Sequence, residues 1–156
     1  MKNNLRDSSG VISPPPLIYL VPLVIGLLLH WATPVRFFPS TFQLRVGLPL
    51  IGIGIFLILW AVRVFKHTGT DISVSKPTTA IVAEGPYRFT RNPMYLSMTL
   101  IYLGIAISFN ALWPLLLLPG VLLIMQFGVI SREERYLEKK FGQQYLHYKG
   151  RVRRWI

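Results

Sequence analysis

Cysteine is absent from this chain of 156 residues, and acidic residues number only six against seventeen Lys and Arg. The first absence excludes disulfides, thiolate catalysis, Cys-based zinc sites and palmitoyl anchoring. The second leaves a formal charge of +11. Charge is missing in a more local sense too, because nothing from Asn92 to Ser131 carries any. A bilayer is crossed by about 20 consecutive apolar residues, and the chain, at 52% hydrophobic, has several such runs. Strong basicity in a soluble protein points to nucleic acid, but a soluble binder would not also carry charge-free runs of that length, so no nucleic-acid partner is expected. Basic residues beside apolar runs instead set topology and attract anionic membrane lipids. No ionisable residue lies deep within a run, which argues against a transporter.

The runs divide a single domain into spans. After a short polar tail and Pro14-Pro15-Pro16, a first span covers about 17–32, with Pro22 in its opening turns and His30 and Trp31 at its interfacial end. A polar connection with Pro34 and Pro39 leads to a second span, about 46–64, bracketed by Arg45 and Arg63. Its Gly52-Ile53-Gly54 lacks the strand and third glycine of a dinucleotide loop and reads as close helix packing. The uncharged stretch is too long for one helix. It is expected to turn near Ser108–Pro114, at Asn110 and Trp113-Pro114, giving spans of about 93–107 and 115–130, with a kink at Pro119-Gly120. The fold class is therefore all-α: a polytopic membrane protein with about four transmembrane helices, a cytosolic loop and an amphipathic C-terminal helix. Fifteen of the seventeen basic residues fall on one side of this arrangement, which places both termini in the cytoplasm.

Two cytosolic stretches are not explained by spanning alone. Gly85–Tyr95 ends a long polar loop that should fold back over the mouth of the helices, and Asn92-Pro93 makes a helix start in which Asn caps and Pro is preset for the first position. The tail from Ser131 sets Leu137, Phe141, Tyr145 and Tyr148 on one helical stripe, interrupted at Gly142. Its Lys139, Lys140, Lys149, Arg151, Arg153 and Arg154 suit lipid phosphates. Glu134 has a structural reading as the acid of a capping box with Ser131. Glu133 has none so easy.

The run Gly85-Pro86-Tyr87-Arg88-x-x-Arg91-Asn92-Pro93-x-Tyr95, an apolar hairpin, then Glu133-Glu134-x-x-Leu137-x-x-x-Phe141-Gly142-x-x-Tyr145-x-x-Tyr148 resembles the isoprenylcysteine carboxyl methyltransferase family. More broadly it is similar to the integral-membrane methyltransferases that include phospholipid methyltransferases. The resemblance runs from about Gly69 to the end, and its specificity lies in the combination of the two motifs.

The resemblance implies transfer of a methyl group from S-adenosyl-L-methionine to a hydrophobic or lipid-like acceptor. It places the cofactor between the long loop and the tail, lined by Thr79, Ala80, Ile81, Val82, Tyr87, Asn92, Pro93, Met94, Tyr95 and Glu133. Apolar and aromatic walls suit adenine, Glu133 suits the ammonium and ribose hydroxyls, and amides at the Asn92-Pro93 helix start suit the carboxylate. The catalytic pair would be Arg91, orienting an anionic acceptor or holding the cofactor carboxylate through its planar fork, and Glu134, a base if the acceptor is an amine. Two departures bear on the acceptor. Asn92 stands where the family often has His, and Val129 where the prenylcysteine enzymes have an Arg, with Arg132 displaced along the helix. The first removes any role of an imidazole, and the second argues against a prenylated cysteine carboxylate in particular. A non-catalytic scaffold with a lipid-binding basic tail is the alternative class.

Overall fold

A computed structural model describes residues 10–67 and 81–156. Six helices follow one another: α1 (Pro15–Ala32), α2 (Ser40–His67), α3 (Pro93–Ser108), α4 (Leu112–Ile124), α5 (Ser131–Phe141) and α6 (Gln143–Arg151). Among the described residues there is no strand longer than one isolated bridge, between Thr90 and Arg153. Three helical stretches are long and apolar enough to cross a membrane: Pro15–Ala32, Thr41–His67 and Leu112–Phe141. The 16-residue α3 is shorter, about 24 Å at 1.5 Å per residue, against the ~30 Å of a bilayer core.

The sequence boundaries are modified in ways that follow local chemistry. Pro15 and Pro16 start α1 because an absent N–H costs nothing in the first turn. Its end is closed by Thr33, whose amide and hydroxyl both donate to the Leu29 carbonyl, at 2.7 and 2.9 Å. α2 begins directly after Pro39 and runs well beyond 46–64, so Arg45 and Arg63 lie within it. The far turn is built on Asn110, which adopts φ 51°. Its Oδ1 accepts from the Phe37 and Phe38 amides at 3.0 and 2.9 Å, and its Nδ2 donates to Phe38 O at 2.7 Å. Trp113 and Pro114 belong to the opening of α4, not to the turn itself. The side chain of one turn residue thus fastens the α3–α4 connection to the α1–α2 connection.

α2 and α3 pack most closely, through glycine. A Cβ on Gly104 would lie 2.7 Å from the Gly47 carbonyl oxygen, and one on Gly54 2.9 Å from that of Ser97. In the absence of a hydrophobic force between helices in lipid, such close backbone approach supplies the attraction. Gly52, two residues away, meets nothing within 4 Å. Only one glycine of the Gly52-Ile53-Gly54 motif therefore serves the packing inferred for it.

α4 continues unbroken through Pro119 and Gly120, and its hydrogen bonding departs from the α pattern later, in a π-helical stretch over Met125–Ile130. The wider turn is closed from both sides. Ser131 Oγ donates to the Gln126 carbonyl at 2.8 Å, and the Ile12 amide reaches the Gly128 carbonyl at 3.3 Å. Ile130 has helical backbone angles, so no helix begins at Ser131; α5 extends the same rod into its charged part. The capping box read for Ser131 and Glu134 is accordingly absent, because neither side chain has free helix-start amides to cap.

Substitution of the paired glycines separates these roles. Gly54→Leu is expected to destabilise the protein in detergent by about 1–3 kcal/mol or more through overpacking, whereas Gly52→Leu should leave the denaturation midpoint near wild type. Equal effects would contradict the α2–α3 contact.

Candidate functional site

The connection from α2 to α3 reaches the site through a 3₁₀ turn, Gly85–Arg88. Gly85 has φ 55°, and any Cβ there would lie 2.7 Å from Val64 Cγ2. The turn is thereby pressed onto α2, and Tyr87 is buried against Ala61 and Val82, with Met94 packed beside them. Its ring lies 5.6 Å from that of Phe65. The Tyr87 hydroxyl is buried without a hydrogen-bond partner. Burial, then the fields of Tyr148 and Glu133, raise its pKa.

The end of the chain runs beside the start of α3. The Arg91 amide donates to Arg153 O at 2.9 Å, and Arg154 O accepts from Thr90 Oγ1 at 3.1 Å and Asn92 Nδ2 at 2.9 Å. Asn92 occupies the N-cap position of α3 but makes no side-chain cap. Its amide group is spent on the tail instead, which corrects the capping role read for it. The amide of Asn92 is taken by Thr90 Oγ1 and those of Tyr95 and Leu96 by Asn92 O. Most of the amides suggested for a cofactor carboxylate at this helix start are therefore already engaged.

This pairing brings two arginines to one carboxylate. Glu134, 6% exposed, receives Arg154 on both oxygens, Nε to Oε1 at 2.9 Å and Nη2 to Oε2 at 2.6 Å. Arg91 Nη2 stands 3.3 Å from Oε1. The two hydrogen bonds to Glu134 hold the Arg154 pKa above its ordinary value. Arg91 is itself nearly buried, yet its Nε and Nη1 have no hydrogen-bond partner. Arg91 acts on Tyr145 through its charge and a hydrogen-bonding contact, which still leaves Nε and Nη1 without a partner. Burial foremost, with Glu134 adding and Arg91 opposing, pushes the Tyr145 hydroxyl up to about 12.

The neighbouring acid faces elsewhere. Tyr95 donates its hydroxyl to Glu133 Oε1 at 2.7 Å. Glu133 lies beyond the apolar part of its helix and keeps an accessible edge, but atoms packed around its carboxyl exclude water and push its pKa up to about 7. The Tyr95 bond opposes that rise, and Glu134 adds to it.

Of the residues expected at a cofactor site, Val82, Tyr87 and Met94 share one apolar cluster, and Tyr95 and Glu133 bond directly. Pro93 is buried at the first position of α3. Ile81 lines a partly open cavity of about 440 Å³ with Ala83, Arg88, His147, Tyr148 and Arg151. Thr79 and Ala80 lie outside the described residues. The tail is two helices broken at Gly142, with φ 52°, so the stripe is shared between them; Tyr145 is fully buried, and Tyr148 donates to the Tyr87 carbonyl at 2.8 Å. Arg154 and Lys149, assigned by sequence to lipid phosphates, are instead paired with Glu134 and Glu138. Arg154 and Tyr145 are the site residues that sequence reasoning missed. Nothing in Arg151-Val152-Arg153-Arg154 sets Arg154 apart, and Tyr145, though part of the amphipathic stripe and of the second motif, was given no site role.

The surroundings agree with one known family. A family model described as phospholipid methyltransferase matches residues 42–144. An uncharacterised protein from Haemophilus influenzae is 48% identical over 64 residues, which make up 40% of this chain and all of that relative. No solved structure matches the chain. The family match covers well over half of the sequence, from the second helix through the first motif and the acid pair, and the chain belongs to the phospholipid methyltransferase family, as a membrane protein of the methyltransferase class.

Proposed function

We propose that the protein transfers a methyl group from S-adenosylmethionine to a hydrophobic, lipid-like acceptor bearing a carboxylate or an amine, at the cytosolic face of the membrane. In this reading α3 is a fourth, short span beside the three long ones, and both termini lie in the cytoplasm, where the basic residues gather. The observation that carries the proposal is a set of buried polar groups brought together without partners from the protein itself. The Tyr87 hydroxyl and two nitrogens of Arg91 are buried without partners, near a carboxyl group that burial holds at a raised pKa. Unsatisfied buried donors cost about 1–3 kcal/mol each, and a ligand able to meet them recovers that cost.

The residues present fit S-adenosylmethionine. Glu133 would hold its ammonium group, Arg91 its carboxylate, and Val82, Tyr87 and Met94 an apolar wall for the nucleoside. When bound, it supplies an electrophilic methyl on a sulfonium. The chain supplies position: aromatic residues from the loop and tail exclude water, the acid and the guanidinium fix the amino-acid end of the donor and the apolar wall its nucleoside, so that an acceptor can approach in line. Glu134 is poorly placed to take a proton, because both of its oxygens already face arginine. We assign it the role of anchoring Arg91, and we leave proton removal from an amine acceptor to Glu133 or solvent.

Two measurements test the donor site. S-adenosylhomocysteine at a hundredfold excess over Kd should stabilise the detergent-purified protein by about 2.7 kcal/mol, and Arg91→Ala or Glu133→Gln should remove most of that gain. No stabilisation of the wild type at millimolar ligand would count against the proposal. The second is pH dependence. An ammonium ligand needs ionised Glu133, whose pKa without ligand is about 7. Affinity should therefore be full above pH 7 and fall below it by up to about tenfold per unit. The Glu133→Gln variant should lack this pH dependence. For the ligand-free protein the sign reverses: a raised carboxyl pKa contributes stability at low pH that is lost as pH rises through 7.

A further inference from the structure

We infer that Arg154 is a positioning residue: by occupying both oxygens of Glu134 it leaves Nε and Nη1 of Arg91 free to bind the carboxylate at the amino-acid end of the methyl donor. The inference rests on the donor site proposed above and decides which group at the amino-acid end of the donor Arg91 meets.

The reasoning is one of competition. A guanidinium beside a carboxylate favours the two-pronged, parallel arrangement of N–H donors. Arg91 and Glu134 are close enough to adopt it and do not, since Arg91 keeps a single 3.3 Å contact. The two-pronged place is taken by Arg154, at 2.9 and 2.6 Å. Arg154 holds it because its backbone is clamped on both sides of Arg91, by Thr90 Oγ1 and Asn92 Nδ2 on its own carbonyl and by the Arg91 amide on Arg153 O. The other nearby cation, Lys149, lies 3.9 Å from Glu134 Oε2 and is engaged by Glu138. Without Arg154, Arg91 would turn onto Glu134 and spend the donors that a ligand needs. Two unpartnered nitrogens on a guanidinium with 9% of its side chain exposed are the observation that points to an anion here.

Paired ligands test this. S-adenosylhomocysteine carries the amino-acid carboxylate, and 5′-methylthioadenosine has the same nucleoside and thioether without it. Dissociation constants of both would be measured for the wild type, Arg154→Gln, Arg154→Lys and the double variant Arg154→Gln/Glu134→Gln. Loss of Arg154 is expected to weaken S-adenosylhomocysteine by about tenfold or more, the size of a lost charge-assisted contact, and to leave 5′-methylthioadenosine unchanged. Arg154→Lys, which keeps the charge and the backbone clamp but not the fork, should show the same selectivity more weakly. The double variant should regain part of the affinity, because Arg91 no longer has Glu134 to turn onto, although it also loses Glu134 as an anchor. Equal weakening of both ligands would mean that Arg154 only holds the tail in place, and would overturn the inference while sparing the donor site. Selective loss that the double variant fails to recover would overturn the competition for Glu134. Failure of the wild type to bind either ligand would overturn both readings.

Discussion

A carboxylate buried where it cannot stay charged alone organises the end of this protein at which α3 begins. Glu134 is 6% exposed, and an isolated charge at that depth would cost several kcal/mol. It is tolerated because two guanidiniums meet it, and these come from segments sixty-three residues apart in sequence, at Arg91 and Arg154. Neutralising one acid thus joins the head of α3 to the end of the chain. The three main-chain and side-chain bonds onto Arg153 and Arg154 then make the join directional.

The rest of the fold delivers these groups. Glycines set α2 against α3 at backbone distance, and Asn110 ties the two connections at the opposite end, so α3 is held at both of its ends. The long rod of α4 and α5 then carries two adjacent acids out of its apolar part. Successive helical positions point about 100° apart, and the two acids use that difference. Glu133 turns to Tyr95, and Glu134 turns to the arginines. One acid is consumed in holding the site together, and its neighbour keeps a raised pKa and an accessible edge. π-helical turns are frequent at functional sites, and the one here directly precedes the acid pair.

What the sequence revealed depended on whether the signal was local. The apolar runs and the Asn110 turn were legible because each is written in contiguous residues, and the pairing of the Gly85–Tyr95 segment with the acid pair followed from the family resemblance. The π stretch was not, because Met125–Ile130 reads as ordinary apolar helix. Glu134 fits the spacing of a capping box, and only tertiary packing shows that the helix never stops there. Asn92 carries the chemistry of a cap, but the main chain at Arg154 takes its side chain first. Arg154 was hidden for a different reason: among eight basic residues after Ser131, composition gives no way to distinguish the one whose guanidinium pairs with a buried acid on both oxygens from the others.

The account stands on the claim that these convergent segments hold a methyl donor against a hydrophobic acceptor. Incubating the purified protein, in vesicles made from a total lipid extract, with S-adenosylmethionine labelled in its methyl group tests that claim most directly. The account predicts label moving into the organic phase with the wild type and little with Glu133→Gln. Donor binding without label in any hydrophobic product, or equal transfer by both proteins, would contradict it.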